Sequence, residues 1–391
     1  MFKTARLPMI LSLPLALMAM ACPTRNGLQG GTGGSTDGGA GASGTAGSGG
    51  GAGSAGAAGG AAGSAASGGA GAAGSLGGAA GSGAPCTPVC SASAYCDSGT
   101  CKSRVTEFSI QDSGAEPRYI TAAGDGNLWF TDTVYDKIRR ITPTGTISAF
   151  VVPTAGSRCG SIAPGPDGNL WFGEEDGSNI GRITPSGVIT EFSAGTFAIP
   201  TGITAGPGGN IWFSESRGNQ IGISTPAGVI SYLPLPTPNA SPVGIVQGPD
   251  GNIWFVEAIG SVARMTAAGT VTEFSIPTPN SNPASIVVGG DGALWFSEPN
   301  ADKIGRVTTT GAVTEFPVPT MSASPGTLAL GADSNVWFTE GSASSLGRID
   351  SSGHVTEFPV PADPYGIALG SDGNLWFTEN AAGKIGRFLP P

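Results

Sequence analysis

The stretch GNLWFTE at residues 373–379 decides the fold, because versions of it recur along the chain from residue 126 onwards. Successive tryptophans in these copies are separated by 42, 41, 42, 41, 42 and 39 residues. A repeat near 41 residues is typical of a four-stranded β-propeller blade. The copies use all the tryptophans of the chain, which are Trp129, Trp171, Trp212, Trp254, Trp295, Trp337 and Trp376. The sequence therefore predicts an all-β, seven-bladed propeller.

Each unit contains four short apolar segments that are separated by turn residues. In one unit the third segment is KIGRV at 303–307 and the fourth is VTEF at 313–316. An Asp-Gly turn usually joins the first segment to the tryptophan segment, as at 372–373, and this pair favours tight hairpins. We therefore expect every blade to be a four-stranded antiparallel meander.

The two ends of the repeat region predict how the ring closes. The last unit stops after its third segment, at 384–388, whereas an additional fourth segment, VTEF at 105–108, precedes the first unit. This N-terminal strand can complete the seventh blade and leave no open seam. The predicted propeller spans residues 104–391.

The N-terminus predicts export from a bacterial cell. Residues 1–21 form a signal peptide with Lys3 and Arg6 before an apolar run that is too short to span a bilayer. The run ends in AMAC at 19–22, and small residues before Cys22 indicate lipidation of that cysteine. Ordinary cleavage after Ala21 is the alternative. We expect a cell-envelope lipoprotein of the outer membrane or cell surface that touches the membrane only through this anchor.

Two further regions precede the propeller. Residues 22–85 are nearly all Gly, Ala and Ser, with little apolar surface to offset the entropy of ordering, so we expect a disordered tether. Residues 86–103 carry four cysteines. In an exported chain these predict a small knob with two disulfides, whose pairing the sequence leaves open. A zinc site is the alternative. The four cysteines are Cys86, Cys90, Cys96 and Cys101.

Charge excludes one class of partner. The net charge of −10 and the absence of a basic run argue against nucleic-acid binding, which requires a positive surface. We expect a monomer that takes a small-molecule, glycan or peptide ligand at the mouth of the propeller.

The repeat GPDGNLWF…IGRITPxG…TEF resembles that of the virginiamycin B lyase (streptogramin lyase) family over the whole of residues 104–391. The resemblance implies a Mg²⁺-dependent carbon–oxygen lyase that opens a cyclic ester by elimination, with a histidine as general base. The positions that match the family's histidines are Gly326 and Tyr365. Asp363 matches a family acid, Glu379 or Asn380 matches a family glutamate, and Arg118, beside Tyr119, matches a family tyrosine.

These departures leave two functional hypotheses. Tyr365 and Asp363 are the candidate catalytic residues if elimination persists, because the single histidine, His354, falls in a turn away from the axis. The alternative is a non-catalytic surface module that binds a carbohydrate, peptide or protein. Units one and seven are neighbours in the closed ring. The predicted ligand site at the mouth therefore combines Tyr365 with Arg118, Tyr119, Glu116, Glu379 and Asn380, and the metal ligands are left unassigned.

A carboxylate follows each tryptophan by three residues, and six of the seven third segments carry an arginine. A metal-binding ring is one interpretation, and Glu–Arg pairs within blades are the favoured one because six of the seven carboxylates have a matching arginine. Cys159 is predicted to be a buried small residue rather than a nucleophile. The carboxylates are Asp132, Glu174, Glu215, Glu257, Glu298, Glu340 and Glu379. The arginines are Arg140, Arg182, Arg264, Arg306, Arg348 and Arg387.

Overall fold

A computed structural model describes Cys86 and residues 89–391. The predicted signal peptide, the lipidation site at Cys22 and the tether lie outside the described residues. Within the described part of the chain, no helix is long and apolar enough to cross a membrane.

The cysteine-rich segment forms the predicted knob. Strands β1 (Ala94–Asp97) and β2 (Thr100–Ser103) make an antiparallel hairpin. Disulfides join Cys86 to Cys96 and Cys90 to Cys101, so two disulfides are confirmed in place of a zinc site. The knob leads directly into the ring, where the amide of Leu389 donates to the carbonyl of Arg104 at 2.9 Å.

Seven four-stranded antiparallel sheets follow, and the first strand of each contacts the first strands of the blades on both sides. Blade 1 contains β4 (Pro117–Ala122), β5 (Leu128–Asp132), β6 (Lys137–Ile141) and β7 (Ile147–Val151). Blade 2 contains β8 (Cys159–Pro164), β9 (Leu170–Glu174), β10 (Asn179–Ile183) and β11 (Ile189–Ser193). Blade 3 contains β12 (Pro200–Gly206), β13 (Asn210–Glu215), β14 (Gln220–Ser224) and β15 (Ile230–Pro234).

The remaining blades repeat this plan, and short 3₁₀ helices occupy Pro207–Gly209 and Gly341–Ala343. Blade 4 contains β16 (Pro242–Gln247), β17 (Ile253–Glu257), β18 (Ser261–Met265) and β19 (Val271–Ser275). Blade 5 contains β20 (Ile286–Val288), β21 (Leu294–Glu298), β22 (Lys303–Val307) and β23 (Val313–Pro317). Blade 6 contains β24 (Pro325–Leu330), β25 (Val336–Glu340), β26 (Ser345–Ile349) and β27 (Val355–Pro359). Blade 7 contains β28 (Pro364–Leu369), β29 (Leu375–Glu379), β30 (Lys384–Phe388) and β3 (Val105–Ser109).

Blade 7 confirms the predicted closure. Strand β3 pairs with β30 in a register that runs from Val105 opposite Phe388 to Ser109 opposite Lys384. Both ends of the domain therefore lie in one sheet, and blade 7 is the neighbour of blade 1 through β28 and β4.

The tryptophans fill the core between blades. All seven are at most 2% exposed, and six donate from the indole nitrogen to the aspartate of the turn before the tryptophan strand, as Trp376 does to Asp372 at 3.1 Å. Six also pack on a fourth-strand phenylalanine with ring centroids 5.2–5.6 Å apart. Such aromatic packing stabilises the sheet interface beyond burial alone.

The favoured Glu–Arg pairing is wrong. The register places each of the six predicted arginines opposite the tryptophan of its blade, as Arg140 is opposite Trp129, and its guanidinium lies over that indole. Arg140 also donates to the carbonyl of Pro185 in the next blade at 3.1 Å. The carboxylate lies three residues after the tryptophan, and side chains at an odd separation in a strand point to opposite faces.

Candidate ligand site at the propeller mouth

The first strands hold the mouth residues through a local change in pairing. In blade 1 regular pairing is interrupted between Pro117 and Ile120, and the amide of Tyr119 instead donates to Thr131 Oγ1 at 3.2 Å. In blade 7 the hydroxyl of Thr378 accepts from the amide of Gly366 and donates to the carbonyl of Arg118 at 2.7 Å. This second-strand hydroxyl therefore fixes the positions of Arg118 and Tyr365 relative to each other.

The structure brings Arg118, Tyr119 and Tyr365 into direct contact, as predicted from ring closure. The Nε of Arg118 donates to the hydroxyl of Tyr365 at 2.9 Å, and the guanidinium lies 5.2 and 5.3 Å from the two tyrosine ring centroids. The rings themselves meet edge to face at 5.5 Å. Burial, with the neighbouring Tyr365, raises the pKa of Tyr119, so this phenol stays protonated.

The anion of this cluster is Glu175, which was not predicted from the sequence. Its two carboxylate oxygens each accept from Arg118 at 3.1 Å, and Arg158 approaches the same carboxylate at 3.6 Å. The signal was the glycine at the mouth position of blade 2. A Cβ on Gly160 would lie 3.0 Å from Glu175 Oε1, so the missing side chain gives the carboxylate its space. The doubled acid at 174–175 occurs only in this unit.

The other predicted site residues lie near the cluster but make different contacts. Glu116 is exposed immediately before β4, and Asp363 is half-buried immediately before β28. Asn380 donates from its side chain to the carbonyl of Pro117 at 3.1 Å, which ties blade 7 to blade 1. Glu379 is fully buried at the end of β29, and burial and the neighbouring Glu107 raise its pKa to about 7.

No histidine faces the mouth among the described residues. His354 is exposed in the turn between the third and fourth strands of blade 6, where its amide donates to Asp350. This turn lies beside the end of β24, at the opposite end of the blade from the mouth. Cys159 is fully buried and burial raises the pKa of its thiol to about 12, which fits the predicted structural role. The mouth positions of blades 3 to 6 carry small or apolar side chains, namely Thr201, Val243, Ala284 and Gly326.

Among the residues that the structure describes, no three second-strand carboxylates lie close enough to share an ion, and their contacts differ between blades. In blade 1, Asp132 pairs with Arg139, whose Nε donates to its carboxylate at 2.9 Å. In blade 6, Glu340 is fully buried and neither carboxyl oxygen has a hydrogen-bond partner among the described residues. Burial, with Glu357 and Asp302 nearby, raises the pKa of Glu340 to about 8. Burial raises the pKa of Glu174 and Glu257 to about 7 and that of Glu298 to about 8.

Comparison with known proteins identifies the family. The profile of the virginiamycin B lyase family matches residues 96–277 and 258–390. The chain belongs to the virginiamycin B lyase family. A streptogramin B lyase structure is 36% identical, with a TM-score of 0.70 over 73% of this chain and 97% of that one. Virginiamycin B lyase from Staphylococcus aureus is 38% identical, with a TM-score of 0.70 over 73% of this chain and 99% of that one.

A third solved structure of the family bears on the chemistry. It is a catalytically inactive histidine-to-alanine variant of the Staphylococcus aureus virginiamycin B lyase with quinupristin, also 38% identical to this chain with a TM-score of 0.70 over 73% of this chain and 99% of that one. No curated protein sequence matches the chain.

Proposed function

We propose that this member of the virginiamycin B lyase family binds a peptide-like or cyclic-ester ligand at the mouth without performing the elimination. The observation that carries the proposal is the Arg118 cluster. It occupies the mouth where blades 7, 1 and 2 meet, and it contains an arginine, a carboxylate and two phenols but no imidazole.

The ligand class follows from the two sides of the mouth. One side offers the faces and edges of Tyr119 and Tyr365 around a guanidinium. The opposite side offers the small or apolar side chains of blades 3 to 6. Pockets that combine apolar walls with a few polar groups suit small amphipathic molecules. The inactive family variant with quinupristin supports binding that persists without catalysis.

The cluster fits poorly with elimination chemistry. A general base must reach the substrate proton and lose its own proton near the working pH. Tyr119 is held protonated by burial, and Glu175 is already paired with Arg118 at 3.1 Å. Tyr365, whose hydroxyl accepts from Arg118 at 2.9 Å, and Asp363, half-buried at the rim, are the remaining candidates for a base if turnover occurs.

The mouth residues also do not fit Mg²⁺. This ion prefers several oxygen ligands, of which one or two are free carboxylates. The carboxylate in the cluster, Glu175, faces two arginines instead. Across the described residues, the one group of three His, Cys, Asp or Glu side chains close enough to share an ion is Cys86, Cys90 and Cys101, which are disulfide-bonded.

Titration calorimetry with quinupristin tests the binding proposal on the purified chain. We expect saturable binding that weakens at least tenfold in Arg118→Ala, because the guanidinium organises both tyrosines. Tyr365→Phe, which keeps the ring, should lose less. His354→Ala is the matched control at the opposite end of the blade and should bind as the unmodified chain does. Equal affinity in Arg118→Ala, or no binding at any soluble concentration, would contradict the proposal.

We also propose export and lipid anchoring through Cys22, supported by the sequence of residues 1–22. Metabolic labelling with a fatty acid should mark the chain, and Cys22→Ala should abolish the label. A secreted, unlabelled chain that begins at Cys22 would instead support ordinary cleavage after Ala21.

A further inference from the structure

The loop that enters blade 3 carries a bulky residue at a left-handed backbone position where the corresponding loops carry small or amide residues. In six blades the backbone takes a positive φ three residues before the position held by Pro117, Cys159, Pro200, Pro242, Pro283 or Pro325, and small or amide residues occupy five of these places. The sixth is Phe197, with φ of 63°. A bulky residue in the left-handed region is a genuine outlier, and such strain is concentrated at functional sites. The five matching residues are Gly114, Gly156, Asn239, Asn280 and Ser322.

Phe197 is also 70% exposed, so the strained backbone does not bury its ring. The ring borders a cavity of about 280 Å³, which lies between the loop into blade 3 and the loop after β13. Ligand pockets have volumes of roughly 300–1,000 Å³, and this cavity lies just below that range, so it suits no more than a small molecule with a single ring. Its lining includes Phe197, Gly195, Arg217, Gln220 and Tyr232.

The cavity coincides with a second departure from the repeat. The fourth strands of five blades carry a glutamate where blade 3 has Tyr232, and in blade 6 that glutamate, Glu357, accepts from Thr320 in the preceding loop. The hydroxyl of Tyr232 instead donates to the carbonyl of Ala194. The tyrosine therefore holds the loop and contributes an aromatic wall to the cavity.

The charges at the cavity favour an anion. Glu215 is buried and already accepts from the amides of Ile199 and Gly218, at 2.9 and 2.6 Å, and from Gln220. Arg217 is exposed and donates to the carbonyl of Phe197 at 3.3 Å, with no acidic side chain within 4 Å in the described part of the chain. A guanidinium without an acidic partner is suited to bind a carboxylate in bidentate fashion.

We infer that this cavity of blade 3 is a second ligand site, separate from the mouth, that binds a small aromatic carboxylate. The ring of the ligand lies against Phe197 and Tyr232, and its carboxylate pairs with Arg217. The exposure and strain of Phe197 are then features of a stacking surface that is covered when the ligand binds.

Phenylacetate is the probe, and saturation-transfer NMR on the full purified chain gives its affinity. Phe197→Asn installs the residue that blades 4 and 5 use at this position. It should raise the melting temperature by relieving the left-handed strain and should weaken phenylacetate binding at least tenfold. Arg217→Gln should weaken binding to a similar extent without changing the melting temperature. Arg118→Ala, at the mouth, is the matched control and should bind phenylacetate normally.

Three results would overturn the inference. If Phe197→Asn leaves phenylacetate binding unchanged, Phe197 is not a stacking surface for the ligand. Tighter binding of phenethylamine than of phenylacetate would show that Glu215 dominates and that the ligand is a cation. Loss of binding in Arg118→Ala alone would place the probe at the mouth, whereas the mouth proposal itself is tested separately with quinupristin.

Discussion

Blades 1 and 6 each bury a carboxyl group, but the group lies beside a cation in blade 1 and beside a second carboxyl in blade 6. Each ends its second strand in a fully buried carboxyl, Asp132 or Glu340. In blade 1 the adjacent third strand supplies Arg139, opposite Ala149 of the fourth strand, so the carboxylate is paired. In blade 6 the residues at the positions of Arg139 and Ala149 are Gly347 on the third strand and Glu357 on the fourth.

A Cβ on Gly347 would lie 2.1 Å from the ring of Phe338 and 2.6 Å from Glu340 Oε1, so the glycine makes room for both the ring and a carboxyl that faces a second one. The repeat position therefore does not fix the charge of the acid. The side chains next to it on the third and fourth strands decide whether it is a paired anion or a neutral acid at pH 7.

The largest effect should come from removing the cation of blade 1. Arg139→Met leaves Asp132 buried without its partner, and we expect the free energy of unfolding to fall by about 3–5 kcal/mol. Chemical denaturation measures this value. Lys137→Met is the control, because Lys137 pairs with Asp112 in a half-exposed position and should contribute under about 1 kcal/mol. Equal losses in the two variants would contradict the pairing.

An intermediate effect should appear in the pH dependence of blade 6. The folded pKa of Glu340, about 8, lies above its ordinary value of 4.5, so the folded state holds an extra proton between these values. The contribution of this group to the free energy of unfolding is greatest below pH 4.5 and falls as the pH rises from 4.5 to 8.

Glu340→Gln should therefore be more stable than the unmodified chain at pH 9, by about 1–3 kcal/mol, and should match it near pH 4. Thermal unfolding across this range measures the difference. A constant offset between the two proteins at every pH would mean that Glu340 does not change its protonation on folding.

The smallest effect concerns the loop that fixes Glu357. Thr320 donates to Glu357 from its amide at 3.0 Å and from its hydroxyl at 2.8 Å. Thr320→Ala removes the hydroxyl donor, and we expect a loss of about 1 kcal/mol. Met321→Ala, at the neighbouring 88% exposed residue, should leave stability unchanged. A loss in Met321→Ala as large as that in Thr320→Ala would assign the effect to the loop backbone.

The sequence was sufficient for the blades and the closure. Seven tryptophans in one phase defined the repeat, and the additional segment at 105–108 located the closing strand, which the pairing of β3 with β30 confirms. Closure also placed Arg118 beside Tyr365, and the structure brings these two into hydrogen-bond contact.

The sequence did not predict the contacts that depend on which face of a strand a side chain occupies. The six arginines and seven acids nearly matched in number, but cross-strand register puts Arg140 with Trp129 and leaves Asp132 on the other face, beside Arg139. Glu175 lies just beyond the end of its strand. Its approach to Arg118 depends on the space above Gly160, which no spacing in the sequence encodes.

The central claim is that the mouth binds without elimination, and a turnover assay tests it most directly. The purified chain is incubated with a saturating concentration of quinupristin, once with Mg²⁺ and once with a chelator. The products are then separated by chromatography and their masses are measured by mass spectrometry. We predict that quinupristin is recovered as the intact ring in both samples. A ring-opened product of unchanged mass that forms with Mg²⁺ and disappears with the chelator would contradict the account.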